Sequence, residues 1–254
     1  MTADTLVILT GASRGLGQAM AAQYLADGAF VLGLSRRQSA ELKATSAGGL
    51  EQWAADLADP LPVAERLATW LADFERRAAD RLPARVRVIH NAALLSDPGD
   101  VAASAPADLA RSLRIGLEAP VALTAAFLHA TAHWSASDRR VLFVSSGLGR
   151  RPLAGSAAYC AQKAGLDHFA RALALEEGAR PHGARVASVA PGIVDTDMQK
   201  QLRGADARRF PEQATFAGWH STGALDSPAA AAAKVIALLE RADYGTNPVT
   251  DVRA

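Results

Sequence analysis

A single cysteine, Cys160, excludes an internal disulfide and suits a reducing compartment. An excess of either charge is also missing. Lys and Arg number 27 against 26 Asp and Glu, a formal net charge of +1 with no sustained basic tract. Neither nucleic acid nor a membrane surface is therefore indicated as a partner. No apolar stretch approaches the roughly 20 residues that span a bilayer. The chain runs from Met1 almost directly into the β-rich segment Thr5–Thr10, which leaves no room for a cleaved leader. The histidines lack metal-binding company: His129 and His133 stand four residues apart with no acidic or cysteine neighbour, and His90, closing an apolar run, reads as a core residue. The expectation is a soluble, cytoplasmic protein with no metal.

What is present is a regular alternation. Apolar content is 50%, enough for a large core, and short β-rich runs alternate with longer helical ones. Strands are expected at Thr5–Thr10, Phe30–Leu34, Leu50–Ala54, Val86–His90, Val141–Ser145, Ala184–Ala190 and Val249–Val252. Helices are expected at Leu16–Ala26, Pro62–Ala79, Pro106–His133, Ala157–Glu177 and Pro228–Arg241, the last including the alanine run Ala229–Ala233. Pro120 would kink or divide the third of these. The pattern predicts an α/β fold, a parallel sheet of about seven strands with helices on both faces. No linker or repeat interrupts it, so residues 1–254 read as one domain.

Two motifs carry chemistry. The first strand leads into Gly11-Ala12-Ser13-Arg14-Gly15-Leu16-Gly17 and then into a helix. Strand, glycine turn and helix form the setting of a nucleotide phosphate loop, with glycines permitting close backbone approach and the helix N-terminus offering N–H groups. The second motif is Ser146, then Tyr159 thirteen residues on, then Lys163 four beyond. Tyrosine and lysine at that spacing share a helix face. An ammonium there would lower the phenol pKa, and a serine at the end of the preceding strand could hold a substrate oxygen. Tyr-x-x-x-Lys alone is also what a plain helix surface shows. In an open parallel sheet both motifs would meet at the carboxyl ends of the strands.

The spacing Thr-Gly-x-x-x-Gly-x-Gly, with Ser146, Tyr159 and Lys163 in order behind it, resembles the short-chain dehydrogenase/reductase family over essentially the whole chain. The resemblance implies a Rossmann-type doubly wound sheet and a nicotinamide cofactor. It implies cofactor contacts at Gly11, Ser13, Arg14, Gly15, Leu16 and Gly17, at Asp56 and Leu57 beside adenine, and at Asn91-Ala92 after the fourth strand. Tyr159 and Lys163 would join them, as would the Pro191-Gly192-Ile193 turn with Thr196 at the carboxamide. The second strand ends in Ser35-Arg36-Arg37, with no acid for a ribose 2′-hydroxyl, and arginine there suits the 2′-phosphate of NADP, with Arg14 as a second cation. The alternative is that Arg36 and Arg37 belong to a solvated loop. One departure is notable: Gly116 stands where the family carries an asparagine that helps hold a proton-relay water.

Segments "SAAYCAQKAGLDHFARALALE" and "PGIVDTDMQ" are similar to the sepiapterin reductase and benzil reductase branch, which implies an NADPH-dependent reductase of ketones or vicinal dicarbonyls. Ser146, Tyr159 and Lys163 would be catalytic, and the phenol would donate the proton. Residues 195–226 would form a substrate lid, in which Met198, Phe210, Phe216 and Trp219 are either an apolar cover or ordinary core, with His220 at the edge. Leu94, Leu95, Leu148 and Leu153 are further wall candidates, and Cys160 reads as a packing thiol. The competing readings are an NADP-dependent alcohol dehydrogenase working oxidatively and a dinucleotide-binding regulatory protein with weakened catalysis. The resemblance also implies a homodimer or homotetramer.

Overall fold

The computed structural model describes residues 3–78 and 81–253. Seven strands form one parallel sheet: β1 (Thr5–Thr10), β2 (Phe30–Ser35), β3 (Gly49–Ala54), β4 (Arg85–His90), β5 (Asp138–Val144), β6 (Arg185–Ala190) and β7 (Val249–Asp251). Their spatial order is β3-β2-β1-β4-β5-β6-β7. The order reverses between β1 and β4, which opens a crevice at the carboxyl ends of those two strands. The helices are α1 (Gly15–Ala26), α2 (Pro60–Ala78), α3 (Pro106–Leu113), α4 (Ala119–Ala130), α5 (Ala157–Gly178), α6 (Asp197–Arg203), α7 (Gln213–Ser221) and α8 (Pro228–Glu240).

The central strands are apolar throughout because both faces are covered. Leu6 and Ile8 of β1, with Leu32, Val88 and Phe143, join the core under α2, α4 and α5. The alternate residues Val7 and Leu9, with Val31, Ile89 and Leu142, join the core under α1 and α8. Each fully buried Leu or Val in these layers contributes about 1.5–3 kcal/mol relative to exposure.

The expected elements appear with shifts at their ends. β5 starts earlier, at Asp138, and stops at Val144, so Ser145 and Ser146 lie beyond its end. α2 starts at Pro60 rather than Pro62, and the expected terminus Ala79 lies outside the described residues. The helix expected over Pro106–His133 is instead α3 and α4 joined by a π-helical turn, Arg114–Glu118, and it ends at Ala130. Pro120 is the physical reason for the break. It has no N–H to give the carbonyl four residues back, that of Gly116, so the ladder opens there.

Contrary to expectation, Pro106–Ala130 is long and apolar enough, by length and composition, to cross a membrane, with a mean hydropathy of 1.2. In the fold it is broken by the π-turn, and Ala119, Leu123 and Phe127 pack into the core. His133 also departs from expectation: its Nε2 lies 2.7 Å from Glu75 Oε1 on α2, an acidic partner distant in sequence. Among the described residues no group of three metal-ligating side chains occurs.

Candidate active site and dinucleotide cleft

The glycine turn is built by close approach. Gly11 sits at φ +73°, and a Cβ there would meet Asn91 Nδ2 at 2.8 Å. A Cβ on Gly17 would overlap the Gly11 carbonyl, so α1 can begin this near the strand only with glycine at 17. Arg14 caps α1 in extended conformation without a side-chain cap bond, which leaves the first-turn N–H groups free for an anion. Asn91 serves the turn rather than facing outward: its Nδ2 donates to Thr10 O (3.1 Å) and Gly11 O (3.2 Å). The Thr10 hydroxyl in turn accepts the backbone N–H groups of Asn91 and Ala92. Thr10 was not among the residues expected from sequence, although its place just before Gly11 was a usable signal.

The other cofactor candidates line the same edge. Ser35 closes β2, and its Oγ is buried without a partner among the described residues. Arg36 and Arg37 follow it fully in solvent and, among the described residues, form no ion pair. Asp56 lies just past β3, taking the Ala58 N–H at 3.0 Å and Arg111 at 3.3 Å, while Leu57 is buried in the core. The Pro191-Gly192-Ile193 turn follows β6 with Gly192 at φ +83°. Thr196 caps α6, and its methyl lies 3.5 Å from where a Gly15 Cβ would stand, so the segment after β6 sits against the glycine loop. Ser13 is half-buried and Leu16 buried at the start of α1. These features fit a dinucleotide: a glycine cradle, free helix N–H groups, a buried unpartnered hydroxyl and open cations at the adenosine end. The Arg14 guanidinium, also exposed, lies 2.8 Å from Asp197 Oδ2 and joins the loop to α6.

Ser146, Tyr159 and Lys163 converge beyond the end of β5. The Ser146 hydroxyl stands on the phenol side of the site, where it favours the ionised form of Tyr159, and it accepts Leu148 N–H at 3.2 Å. Burial pushes the Tyr159 phenol up to about 12, with Ser146 pulling the other way. The expected lowering by Lys163 is not at work here. The ammonium is 5.6 Å from the ring centroid and donates to Val144 O at 2.7 Å, so it turns toward the strand rather than the phenol oxygen. Burial brings Lys163 itself down to about 8, with Asp167 raising it.

Around the phenol lies an apolar cluster of Leu95, Leu148, Leu153, Leu202, Phe210 and Phe216, with Met198, Cys160 and Trp219 partly buried against it. Phe210 is fully buried, and its ring lies 5.4 Å from Phe216, which meets Trp219 edge-on at 4.8 Å. Phe210 is therefore core, whereas Trp219 is only partly buried. The 195–226 excursion is tied at its base, where Asp226 N–H donates to Ile193 O (2.8 Å) and Asp195 N–H donates to Asp226 O (2.9 Å). His220 is exposed.

The space beside Gly116 is filled from another helix. A Cβ there would overlap the Gln162 side-chain amide. Gln162 fills that volume, donating from Nε2 to Leu94 O (3.0 Å) and Ser112 Oγ (2.9 Å). The side chain missing at 116 is replaced from α5, one residue before Lys163.

Cleft, glycine loop and the serine–tyrosine–lysine group together define a class of nicotinamide-dinucleotide oxidoreductase. The chain belongs to the short-chain dehydrogenase family, whose sequence profile matches residues 5–207. It is 32% identical over 244 residues to a benzil reductase ((S)-benzoin forming) of Bacillus cereus, covering 94% of this chain and 95% of that one. It is 32% identical over 257 residues to the sepiapterin reductase of Rattus norvegicus, covering 96% and 94%. A solved structure from Beutenbergia cavernae, described as an NAD(P)-dependent gluconate 5-dehydrogenase with NADP bound at low occupancy, superposes with a TM-score of 0.77 at 25% identity, covering 99% and 96%.

Proposed function

We propose that the protein is an NADPH-dependent carbonyl reductase acting on ketones or vicinal dicarbonyls with apolar, aromatic flanks. The observation that carries this reading is the convergence of Ser146, Tyr159 and Lys163 beyond the end of β5, beside the glycine cradle and under an apolar cluster. The Tyr159 phenol is protonated at neutral pH and can give its proton to a nascent alkoxide. Oxidation of an alcohol with NADP is the reverse of the same reaction, and the direction of turnover separates the two readings.

Bound NADPH would supply the hydride. The chain does the rest. Ser146 positions the substrate oxygen beside the phenol, Tyr159 protonates it, and Lys163, anchored on the Val144 carbonyl, would hold the nicotinamide ribose. Residues 195–226 exclude water, with Trp219 and Met198 offering apolar surface to the substrate. The exposed Arg36 and Arg37 support NADPH over NADH, since a 2′-phosphate would find two open guanidinium groups. The B. cereus and rat relatives, named for a diketone and for sepiapterin, support the dicarbonyl class. We further propose a cytoplasmic homo-oligomer formed through α4 and α5, between which Val121, Leu128, Phe169 and Leu173 line an open groove of about 350 Å³.

The test follows loss of nicotinamide absorbance with benzil, an aliphatic 1,2-dione, sepiapterin and an aryl ketone, each with NADPH and with NADH. NADPH-dependent turnover of a dicarbonyl is expected. Tyr159→Phe should cost roughly 10²–10⁴-fold in kcat with NADPH affinity retained, and full activity in that variant would overturn the mechanism. Arg36→Ala combined with Arg37→Ala should weaken NADPH binding by roughly tenfold or more, the scale of a lost charge-assisted hydrogen bond, while leaving NADH unchanged.

A further inference from the structure

The face of α5 that carries Tyr159 and Lys163 continues one turn further to Asp167. This carboxylate is only 2% exposed. Its Oδ1 accepts from Ser145 Oγ at 2.6 Å and from Ser188 Oγ on β6 at 2.7 Å. Its Oδ2 accepts from Arg150 Nε at 3.2 Å, and Arg150 is anchored in turn on Thr250 O at 2.7 Å. One helix face thereby grips two successive residues at the end of β5, next to Ser146. Lys163 holds the Val144 carbonyl and Asp167 the Ser145 hydroxyl.

A buried carboxylate is costly, and a neutral residue could tie β5 to β6 at lower cost. A purely structural tie would need only the two serine bonds. The negative charge is paired with Arg150, and the buried Lys163 ammonium, one helical turn away on the same helix, feels it as a favourable charge. The charged and titratable groups around this pair are Tyr159 on α5 and Arg150 from the segment after β5, while β5 and β6 present only the hydroxyls of Ser145, Ser146 and Ser188.

We propose that Asp167 is a positioning residue for the reaction: it fixes Ser145, and with it the adjoining Ser146 hydroxyl, and it places a carboxylate one helical turn from Lys163. This rests on the reductase reading of the site. Asp167→Asn keeps the shape and one acceptor but removes the charge and turns an amide toward Arg150. The expected result is a fall in kcat of roughly 10- to 100-fold, the scale of a small misplacement of reacting groups, with little change in KM for NADPH. The alkaline limb of the kcat profile should move to lower pH, because Lys163 loses the charge that raises it. Ser188→Ala removes a bond to the same carboxylate from the side away from Lys163. It should lower thermal stability without moving the limb.

Arg150→Met removes the compensating cation and should move the limb the opposite way, to higher pH. It also serves as the test should Asp167→Asn fail to fold. The titration of Lys163 followed by NMR of ¹³Cε-labelled lysine reads the same charge effect without turnover, in wild type and in each variant. A wild type silent on every carbonyl would count against the reductase reading, and the lysine titration would still decide the role of Asp167. An unmoved limb and an unmoved lysine midpoint in Asp167→Asn, with a kcat loss no larger than that of Ser188→Ala, would overturn the proposal.

Discussion

At the residue scale, burial decides the direction in which the two titratable groups of the site are shifted. Tyr159 and Lys163 are moved in opposite directions by the same loss of water, the phenol up and the ammonium down. His90 shows the same physics away from the site. It stacks on Phe143 with centroids 5.1 Å apart, pairs through Nε2 with Thr124 Oγ1 at 2.9 Å, and is held neutral down to about 3. The sign is fixed by linkage. The unfolded chain protonates this histidine near its ordinary value of about 6.5, whereas the folded chain does not, so stability is lost as pH falls through that window. His90 should contribute a slope of about 1.4 kcal/mol per pH unit between roughly 6.5 and 3. Denaturant unfolding at pH 7, 6, 5 and 4, in wild type and in His90→Gln, should show a shallower decline in the variant. Parallel curves would show that another group sets the slope.

At the element scale, the junction of α3 and α4 is where sequence and structure diverge most usefully. Pro120 was legible as a breaker, but the break falls earlier, at the residue whose carbonyl the proline cannot satisfy. Gly116 read as a loss of function-bearing amide. In the fold it is one half of an exchange in which Gln162 enters the space that a side chain at 116 would occupy. Restoring asparagine at 116 alone should therefore be harmful. Gly116→Asn should destabilise by about 1–3 kcal/mol, the usual cost of overpacking, and should lower kcat by displacing the start of α5 near Lys163. Adding Gln162→Ser should recover most of both losses. Melting curves and steady-state rates for the single and double variants check this, and additive losses would show that the two positions are not exchanging volume.

At the scale of the whole molecule, the chemistry at one end of the sheet is balanced by an ionic tie at the other. Arg87, at the start of β4 and fully buried, places Nε and Nη2 on Glu240 at 2.8 and 2.7 Å, and Nη2 also on Asp138 at 3.1 Å. Arg140 and Arg185 share Asp138, and the Tyr24 hydroxyl donates to Glu240 at 3.0 Å. The network joins α1, α8, β4, β5 and β6 at the edge opposite the cleft. Glu240→Gln leaves the buried guanidinium with only Asp138, which it shares with Arg140 and Arg185, and should cost about 1–3 kcal/mol. The kcat of the folded fraction should stay unchanged, because no member of the network reaches the site. Chemical unfolding combined with rates per active site, titrated by cofactor binding, measures both quantities. A kcat that falls with stability would mean that this edge is coupled to the cleft.

The sequence by itself determined the layout: short apolar strands buried on both faces, the glycine turn, the Tyr–Lys spacing and the order of motifs. These are local facts, fixed by period, by residue volume and by the few residues a tight turn tolerates. Tertiary structure alone decided whose atoms meet. Arg14 turns to Asp197, Asn91 ties back to the glycine turn, Gln162 fills the space at Gly116, and Asp167 joins β5 to β6 beneath Lys163. Each of these pairings except the last depends on segments brought together across β-α crossovers, where sequence spacing carries no distance information. Asp167 lies on the visible stripe of α5, but its partners on β5 and β6 exist only once the sheet is assembled. The same assembly removes water from Tyr159, and that burial, which no local pattern records, raises its pKa.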